Sequence, residues 1–167
     1  MTAFVEPSTL ELLKVMTFAP QQTACAGGAG CAGRSSRSQM LRPTSSQLPT
    51  FETAPPPEFD GPGGVWSPET LLCASIADCF VLTFRAVSRA ARFEWLHLEC
   101  RVEGMLDRVD RTSQFTRYVT FAKLTVPADA QVAKARELLE RAENSCLISN
   151  SLRGSRTLEA QVVAVYR

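Results

Sequence analysis

The sequence has almost no excess of either charge, since 18 Lys and Arg stand against 17 Asp and Glu and the formal net charge is +1. A protein that neutralises many phosphates of a nucleic acid needs a basic excess, so that class of function is excluded. Long apolar runs are also missing. The most apolar stretch, residues 70–84, is interrupted by Asp78 and is shorter than the roughly 20 residues that cross a bilayer. We therefore expect no nucleic-acid partner and no membrane partner.

The chain also lacks the marks of a secretory signal, because its first residues have no basic start and no unbroken apolar stretch. We expect a cytoplasmic protein. Histidine is nearly absent, and the single one, His97, lies on the polar side of a predicted strand. Cys25 and Cys31 flank a glycine-rich run, but zinc needs about four ligands at recognisable spacings and no second pair is present. We expect neither a metal nor an organic cofactor.

Six cysteines are present, and without a signal sequence they favour free or redox-active thiols over a disulfide scaffold. Hydrophobic residues make up 45% and charged residues 21%, which excludes wholesale disorder, collagen and coiled coil. The composition is not uniform. Residues 1–33 form a poorly defined N-terminal segment with an Ala/Gly/Cys-rich run, and residues 34–167 are predicted to form the folded domain.

The first 60 residues carry only local signals. Ser8 and Glu11 fit a capping box and predict a short helix over residues 8–17. Two segments in which Thr, Leu and Phe recur, 34–42 and 47–53, are predicted to pair as edge strands.

A long helix is predicted to follow. Ser67, Pro68 and Glu69 supply a cap residue, a proline at the first helical position and an acid in the first turn. The helix is predicted to run to about Arg92 and is apolar nearly all round, which is typical of a helix buried on several sides.

The rest of the chain alternates between strand and helix patterns. Apolar and polar residues alternate from Leu96 to Val102, and residues 115–126 are rich in β-branched side chains, so these two segments are predicted to form a hairpin. Apolar residues on one face predict a helix over 129–143. Alternation from Leu158 predicts a closing strand. The predicted fold class is α+β, with a long buried central helix packed on an antiparallel sheet. The apolar opposite side of that helix has no cover in so short a chain, so we expect a homodimer.

Two cysteines stand out by context: Cys79 lies in the middle of the long helix and Cys146 follows the end of the second helix. The alternative is that both are plain core, because free cysteine is among the most buried residue types. Cys73 and Cys100 fit that description better.

The stretch PPPEFDGPGGVWSPETLLCASIADCF resembles the motif of the OsmC/Ohr family, thiol peroxidases that reduce organic hydroperoxides. The resemblance covers about residues 51–165. It implies the OsmC-like fold with an intertwined homodimer, Cys79 as the peroxidatic nucleophile and Cys146 as the resolving thiol. It also implies that Glu69 holds an Arg that activates Cys79.

The activating cation has to come from outside the helix. A thiolate attacks the O–O bond and leaves a sulfenic acid that a second Cys captures as a disulfide, yet positions 75, 76, 82 and 83 hold no Lys or Arg to face Cys79. Glu69 and Cys79 are ten residues apart on one helix, roughly 15 Å, so Glu69 and the Arg are expected to come from the partner chain. The resemblance favours Arg37 over Arg34 and Arg42, because its distance from Glu69 in the sequence is similar to the family's. Glu69 also has the simpler interpretation of an acid that stabilises the helix through its dipole.

The predicted function is therefore the reduction of organic hydroperoxides, with a dithiol reductant, either a lipoylated or a thioredoxin-like protein, implied as partner. Apolar neighbours of Cys79 are expected to favour bulky hydroperoxides over hydrogen peroxide: Leu72, Ile76, Phe80 and Phe84. The alternative is an OsmC-like domain without peroxidase activity that acts as an apolar-ligand or partner-binding module or as a redox sensor.

Overall fold

The computed structural model of the chain describes residues 12–14, 31–35, 40–45, 47–128 and 130–165. They belong to two compact units, which we name the sheet unit (described residues up to 14 and from 74 onward) and the N-terminal unit (described residues from 31 to 73). The helices and strands are β1 Leu12–Lys14, β2 Cys31–Ser35, β3 Leu41–Ser45, α1 Pro68–Ala90, β4 His97–Val109, β5 Thr112–Pro127, α2 Val132–Ser145, α3 Leu147–Asn150 and β6 Ser155–Val165.

The sheet unit is built on a hairpin of β4 and β5. Its turn consists of Asp110 and Arg111, both with positive φ (49° and 65°), as a two-residue turn between twisted antiparallel strands requires. The strands extend further than the predicted hairpin, because β4 runs to Val109 and β5 begins at Thr112. The predicted alternation is confirmed at its inner positions, where Leu98, Cys100 and Val102 are buried.

The sheet is mixed. In the described part of the chain its strand order is β1-β4-β5-β6; β1 and β4 as well as β4 and β5 pair antiparallel, and β6 pairs parallel to β5. The prediction of an antiparallel sheet therefore fails for β6. The physical reason is the connection from β5 to β6, which passes through α2 and α3 and so returns the chain to run in the same direction.

One face of this sheet is covered by α2, whose contacts in the sheet unit include β5 and β6. The helix begins and ends within a few residues of the predicted 129–143, and its apolar face is buried, apart from Val132, which is exposed. The buried side chains of α2 are Ala135, Leu138, Leu139, Ala142 and Glu143.

Within the sheet unit α1 also presents a buried face. Ile76, Phe80 and Phe84 are at most 1% exposed, and the Phe84 ring meets Trp95 edge to face at 5.4 Å between centroids. The opposite face is open, since Asp78 and Leu82 are exposed. The sequence predicts a helix buried on several sides, but within the described part of this chain α1 is buried on one side only.

By length and composition alone α1 could cross a membrane, because it has 23 residues and an 18-residue window of mean hydropathy 1.7. The sequence argument that no segment is long enough is therefore wrong for this helix. Core helices of soluble domains meet the same criterion, and the part of α1 in the sheet unit contributes its buried face to that unit's core.

The N-terminal unit contains a small antiparallel pair, β2 with β3, and an antiparallel bridge joins Leu41 to Thr53. The predicted pairing of 34–42 with 47–53 is therefore wrong: the paired strands are β2 and β3, and the second segment contributes only the bridges of Thr53 to Leu41 and to Trp66. The unit also contains the start of α1. Ser67 and Thr70 cap it reciprocally: the Thr70 N–H donates to Ser67 Oγ at 3.1 Å and the Ser67 N–H donates to Thr70 Oγ1 at 2.8 Å.

The predicted helix over residues 8–17 is wrong where the structure describes that segment. Leu12–Lys14 form β1, with Leu12 opposite Met105 and Lys14 opposite Glu103 in β4. A helix of about ten residues is marginal without tertiary support, and pairing with a sheet edge supplies backbone hydrogen bonds that the isolated helix lacks.

Candidate active site

Cys79 lies on α1 in the sheet unit, near the middle of the helix. Its side chain is partly exposed, whereas the residues on either side of it in the sequence, Asp78 and Phe80, are exposed and fully buried respectively. The helical period therefore places Cys79 at the border between the buried face and the open face of α1. A thiol at this border is fixed by packing and is still accessible to a small molecule.

Cys146 occupies the junction between α2 and α3. Its N–H donates to the carbonyl of Glu143 at 3.3 Å, and its carbonyl accepts the N–H of Asn150 at 3.0 Å, so it ends one helix and begins the next. Its side chain is fully buried. The hydroxyl of Ser149 donates a hydrogen bond to Cys146 Sγ at 3.2 Å. The chain geometry therefore holds this thiol in one place.

The side chains of Cys79 and Cys146 are neighbours in the structure. Cys79 and Cys146 are 67 positions apart in the sequence, yet their side chains lie within hydrogen-bonding reach and interact electrostatically. Burial raises the pKa of Cys146; the Ser149 hydroxyl opposes this shift and the neighbouring Cys79 adds to it. Both cysteines are free. Cys146 is thus held as a neutral thiol beside a more accessible one.

A third thiol and a carboxyl stand close to this pair. Cys100, on the inner face of β4, is 1% exposed, and burial together with the nearby Glu143 and Cys146 raises its pKa to about 12. Glu143 is 8% exposed, and neither of its carboxylate oxygens makes a hydrogen bond of ordinary geometry within the described part of the chain. Burial raises the pKa of Glu143, an effect that Arg156 and the Thr120 hydroxyl partly offset.

The burial of Glu143 makes stability depend on pH. A carboxyl whose pKa is raised in the folded state binds its proton more tightly there than in the unfolded chain, so its contribution to stability is lost as pH rises above about 4.3, the ordinary Glu pKa. We expect Glu143→Gln to flatten this loss, as measured by urea unfolding midpoints between about pH 5 and 8. Glu140→Gln, at an exposed position of the same helix, serves as control and should leave the wild-type slope. Equal slopes in wild type and Glu143→Gln would contradict the expectation.

Glu69 is the second helical residue of α1 in the N-terminal unit. Its Oε2 is buried and makes no hydrogen bond to any residue that the structure describes. Arg37, the predicted partner, lies outside the described residues. Arg42, the alternative that can be described, is paired with Glu52 at 2.9 Å and is exposed.

Three of the four apolar residues predicted to line the substrate cleft are corrected by the structure. Ile76, Phe80 and Phe84 are 1%, 0% and 0% exposed, so they belong to the core of their own chain. Leu72, the fourth, is half-buried. The exposed apolar side chains nearest in sequence to the two thiols are Leu82, 51% exposed and one turn beyond Cys79, and Leu147, 72% exposed and directly after Cys146.

A groove of about 480 Å³ lies elsewhere on the sheet unit, over β4, β5 and β6. Cys100 is among its lining residues, but neither Cys79 nor Cys146 lines it, so it is not the site of the Cys79–Cys146 pair. Arg101 lines the groove. Its guanidinium pairs with Glu103 and stacks over the Phe121 ring, 4.0 Å from the ring centroid. Across the described ranges no three His, Cys, Asp or Glu side chains are grouped so that they could hold a metal ion.

Sequence reasoning missed the surroundings of Cys146. Ser149 follows Cys146 by three positions, a spacing that the single helical turn of α3 brings together, but this turn is not among the elements predicted from the sequence. Glu143 lies four positions after the buried Leu139 on the same side of α2, and this spacing was the signal for its burial.

The chain belongs to the OsmC-like protein family, whose model matches residues 61–161. The uncharacterized protein YmaD of Bacillus subtilis (strain 168) is 28% identical over 109 residues, which make up 64% of this chain and 73% of YmaD. The family resemblance seen in the sequence is therefore confirmed.

Solved structures of the same fold support this assignment. An OsmC-like protein of unknown function from Vibrio cholerae aligns with a TM-score of 0.74 at 13% identity, over 81% of this chain and 99% of that one. The organic hydroperoxide resistance protein OsmC from Legionella pneumophila aligns with a TM-score of 0.66 at 22% identity, over 84% and 99%. An organic hydroperoxide resistance protein from Elizabethkingia anophelis gives 0.69 at 18%, over 86% and 100%. At these identities the likeness establishes the fold, and the predicted α+β, OsmC-like class is confirmed.

Proposed function

We propose that this protein is a cysteine-based peroxidase that reduces organic hydroperoxides to alcohols. One observation carries the proposal: a partly exposed thiol, Cys79, and a buried thiol, Cys146, lie within hydrogen-bonding reach although they are distant in sequence. Attack of the Cys79 thiolate on the hydroperoxide gives a sulfenic acid, and Cys146 converts it to a disulfide. Membership of the OsmC-like family and the hydroperoxide-resistance proteins that share its fold agree with this chemistry.

The disulfide has to be reduced for a second turnover. Thiol–disulfide exchange with a dithiol protein, lipoylated or thioredoxin-like, supplies the two electrons. The partly exposed Cys79 is the sulfur open to such an attack, because Cys146 is fully buried. The proposed compartment is the reducing environment of the cytoplasm.

A second copy of the chain is the proposed cover for the open face of α1. Leu82 is 51% exposed there, and only 28% of the helix's most apolar window is buried in this chain. The free energy of covering such a face favours association, and a symmetric pair of helices is the simplest arrangement. The homodimer forms part of the proposal.

The cation that activates Cys79 is proposed to be Arg37, held by Glu69, with both residues supplied by the partner chain. The buried Oε2 of Glu69 makes no hydrogen bond within the described ranges, and a guanidinium is a donor that would satisfy such a carboxylate oxygen. We expect Arg37→Ala to lower the rate constant for hydroperoxide reduction by about 10²-fold, the effect of losing one charged group that stabilises the reacting atoms. Arg42→Ala is the matched control, because Arg42 is exposed and paired with Glu52. Equal loss in the two variants would remove Arg37 from the proposal.

The direct test of the function follows the sulfur atoms. Reduced protein is treated with one equivalent of cumene hydroperoxide, and the disulfide is located by peptide mapping. We expect a Cys79–Cys146 disulfide, one equivalent of alcohol and, in Cys146→Ser, a sulfenic acid at Cys79 that dimedone traps. A protein that leaves the hydroperoxide intact, or a disulfide that involves neither residue, would refute the proposal and leave a binding module as the alternative.

A further inference from the structure

We propose that Cys146 acts twice: it first gives its proton to the alkoxide released from the hydroperoxide, and it then resolves the sulfenic acid as the thiolate that this transfer creates. Ser149 is the positioning residue for both steps. The inference deepens the proposed peroxidase function and rests on it.

The geometry around Cys146 Sγ supports the first role. The Ser149 hydroxyl donates to this sulfur at 3.2 Å, so it occupies a lone pair and leaves the thiol hydrogen to point elsewhere. Cys79 is within hydrogen-bonding reach, and Cys146 is otherwise fully buried. The proton of Cys146 therefore lies beside Cys79 Sγ, the sulfur that attacks the O–O bond.

The surroundings also keep that proton in place before the reaction. The groups that face Cys146 come from several elements: Cys79 from α1, Cys100 from β4 and Ser149 from α3, while Glu143 of α2 stands next to Cys100 and is itself faced by Arg156 of β6. Burial and Cys79 raise the pKa of Cys146, which therefore stays protonated at neutral pH. The Ser149 hydroxyl, together with the Ser149 backbone N–H, stabilises the thiolate once the proton has left.

The two steps balance as follows. The Cys79 thiolate attacks the terminal oxygen of the hydroperoxide; an S–O bond forms, the O–O bond breaks, and the alkoxide takes the Cys146 proton and leaves as alcohol. Cys79 is oxidised to the sulfenic acid and the hydroperoxide is reduced. The Cys146 thiolate then attacks Cys79 Sγ; an S–S bond forms, the S–O bond breaks, and the departing hydroxide takes a proton from solvent to become water.

The test compares two oxidants with different leaving groups. Cumene hydroperoxide releases an alkoxide that needs a proton, whereas peracetic acid releases acetate, which needs none. In the Cys146→Ala variant we expect cumene hydroperoxide to oxidise Cys79 about 10²-fold more slowly than in wild type, which is the size of a general-acid contribution. We expect peracetic acid to oxidise Cys79 at nearly the same rate in both proteins. The measurement is the second-order rate constant of Cys79 oxidation without reductant.

Ser149 variants provide a second, independent arm. Ser149→Ala should lower the cumene hydroperoxide rate and change the alkaline limb of its pH profile, and Ser149→Thr, which keeps the hydroxyl, should restore both. Equal losses with both oxidants would indicate a structural role and overturn the inference, as would full activity of Cys146→Ala with both. If wild type oxidises with neither, the peroxidase function itself fails; a wild type that reacts while Cys146→Ala shows no leaving-group dependence refutes this inference alone.

Discussion

Cys79→Ser is expected to abolish hydroperoxide reduction, with a loss of about 10⁴-fold or more, as is usual when the nucleophile of an enzyme is removed. A serine hydroxyl does not ionise near neutral pH and cannot attack the O–O bond, so no other step of the cycle can begin. The substitution is nearly isosteric and Cys79 is partly exposed, so the fold should tolerate it. The measurement is the disappearance of cumene hydroperoxide with dithiothreitol as reductant.

The matched control is Cys73→Ala, which removes a thiol from the same helix. Cys73 is 0% exposed and has no place in the proposed chemistry, so this variant should keep the wild-type rate. Circular dichroism establishes that both variants are folded. Comparable activity of Cys79→Ser and wild type would contradict the assignment of the nucleophile, and loss in both variants would point to a general effect of altering α1.

The main elements of the fold could be predicted because each carries a pattern tied to burial. The alternation of Leu98, Cys100 and Val102 marked the inner face of β4, and Ser67 and Pro68 marked the start of α1. The direction of β6 could not be predicted in this way. Alternation of apolar and polar residues indicates which face of the sheet a side chain occupies, and this pattern is the same whichever way the strand runs. The parallel pairing of β6 with β5 depends instead on the helical connection between them.

The candidate site could likewise be predicted only in part. The positions of Cys79 within α1 and Cys146 after α2 follow from helix boundaries, and the resemblance to the family motif suggested the roles proposed for them. The Ser149 hydrogen bond to Cys146 could not be read from the sequence, because it depends on a four-residue helix that begins at Leu147. Such a turn has too few residues to show a period.

Phe84→Ala is expected to lower the free energy of unfolding by about 3–5 kcal/mol, the range for removing a buried aromatic side chain. Phe84 is 0% exposed, and its ring packs edge to face on Trp95 at an interplanar angle of 73°. The substitution removes both the buried apolar area and the partner of the Trp95 ring, and it leaves a cavity between the helix and its surroundings. Urea unfolding followed by tryptophan fluorescence measures the loss.

Leu82→Ala is the matched control on the same helix, two positions earlier and on the open face. Leu82 is 51% exposed, so the free energy of unfolding of the isolated chain should change by less than about 0.5 kcal/mol, as for an ordinary surface substitution. In the proposed homodimer this residue is covered, so at concentrations where the dimer forms the cost should rise with protein concentration. A Leu82→Ala cost as large as that of Phe84→Ala at every concentration would contradict the burial on which both expectations depend.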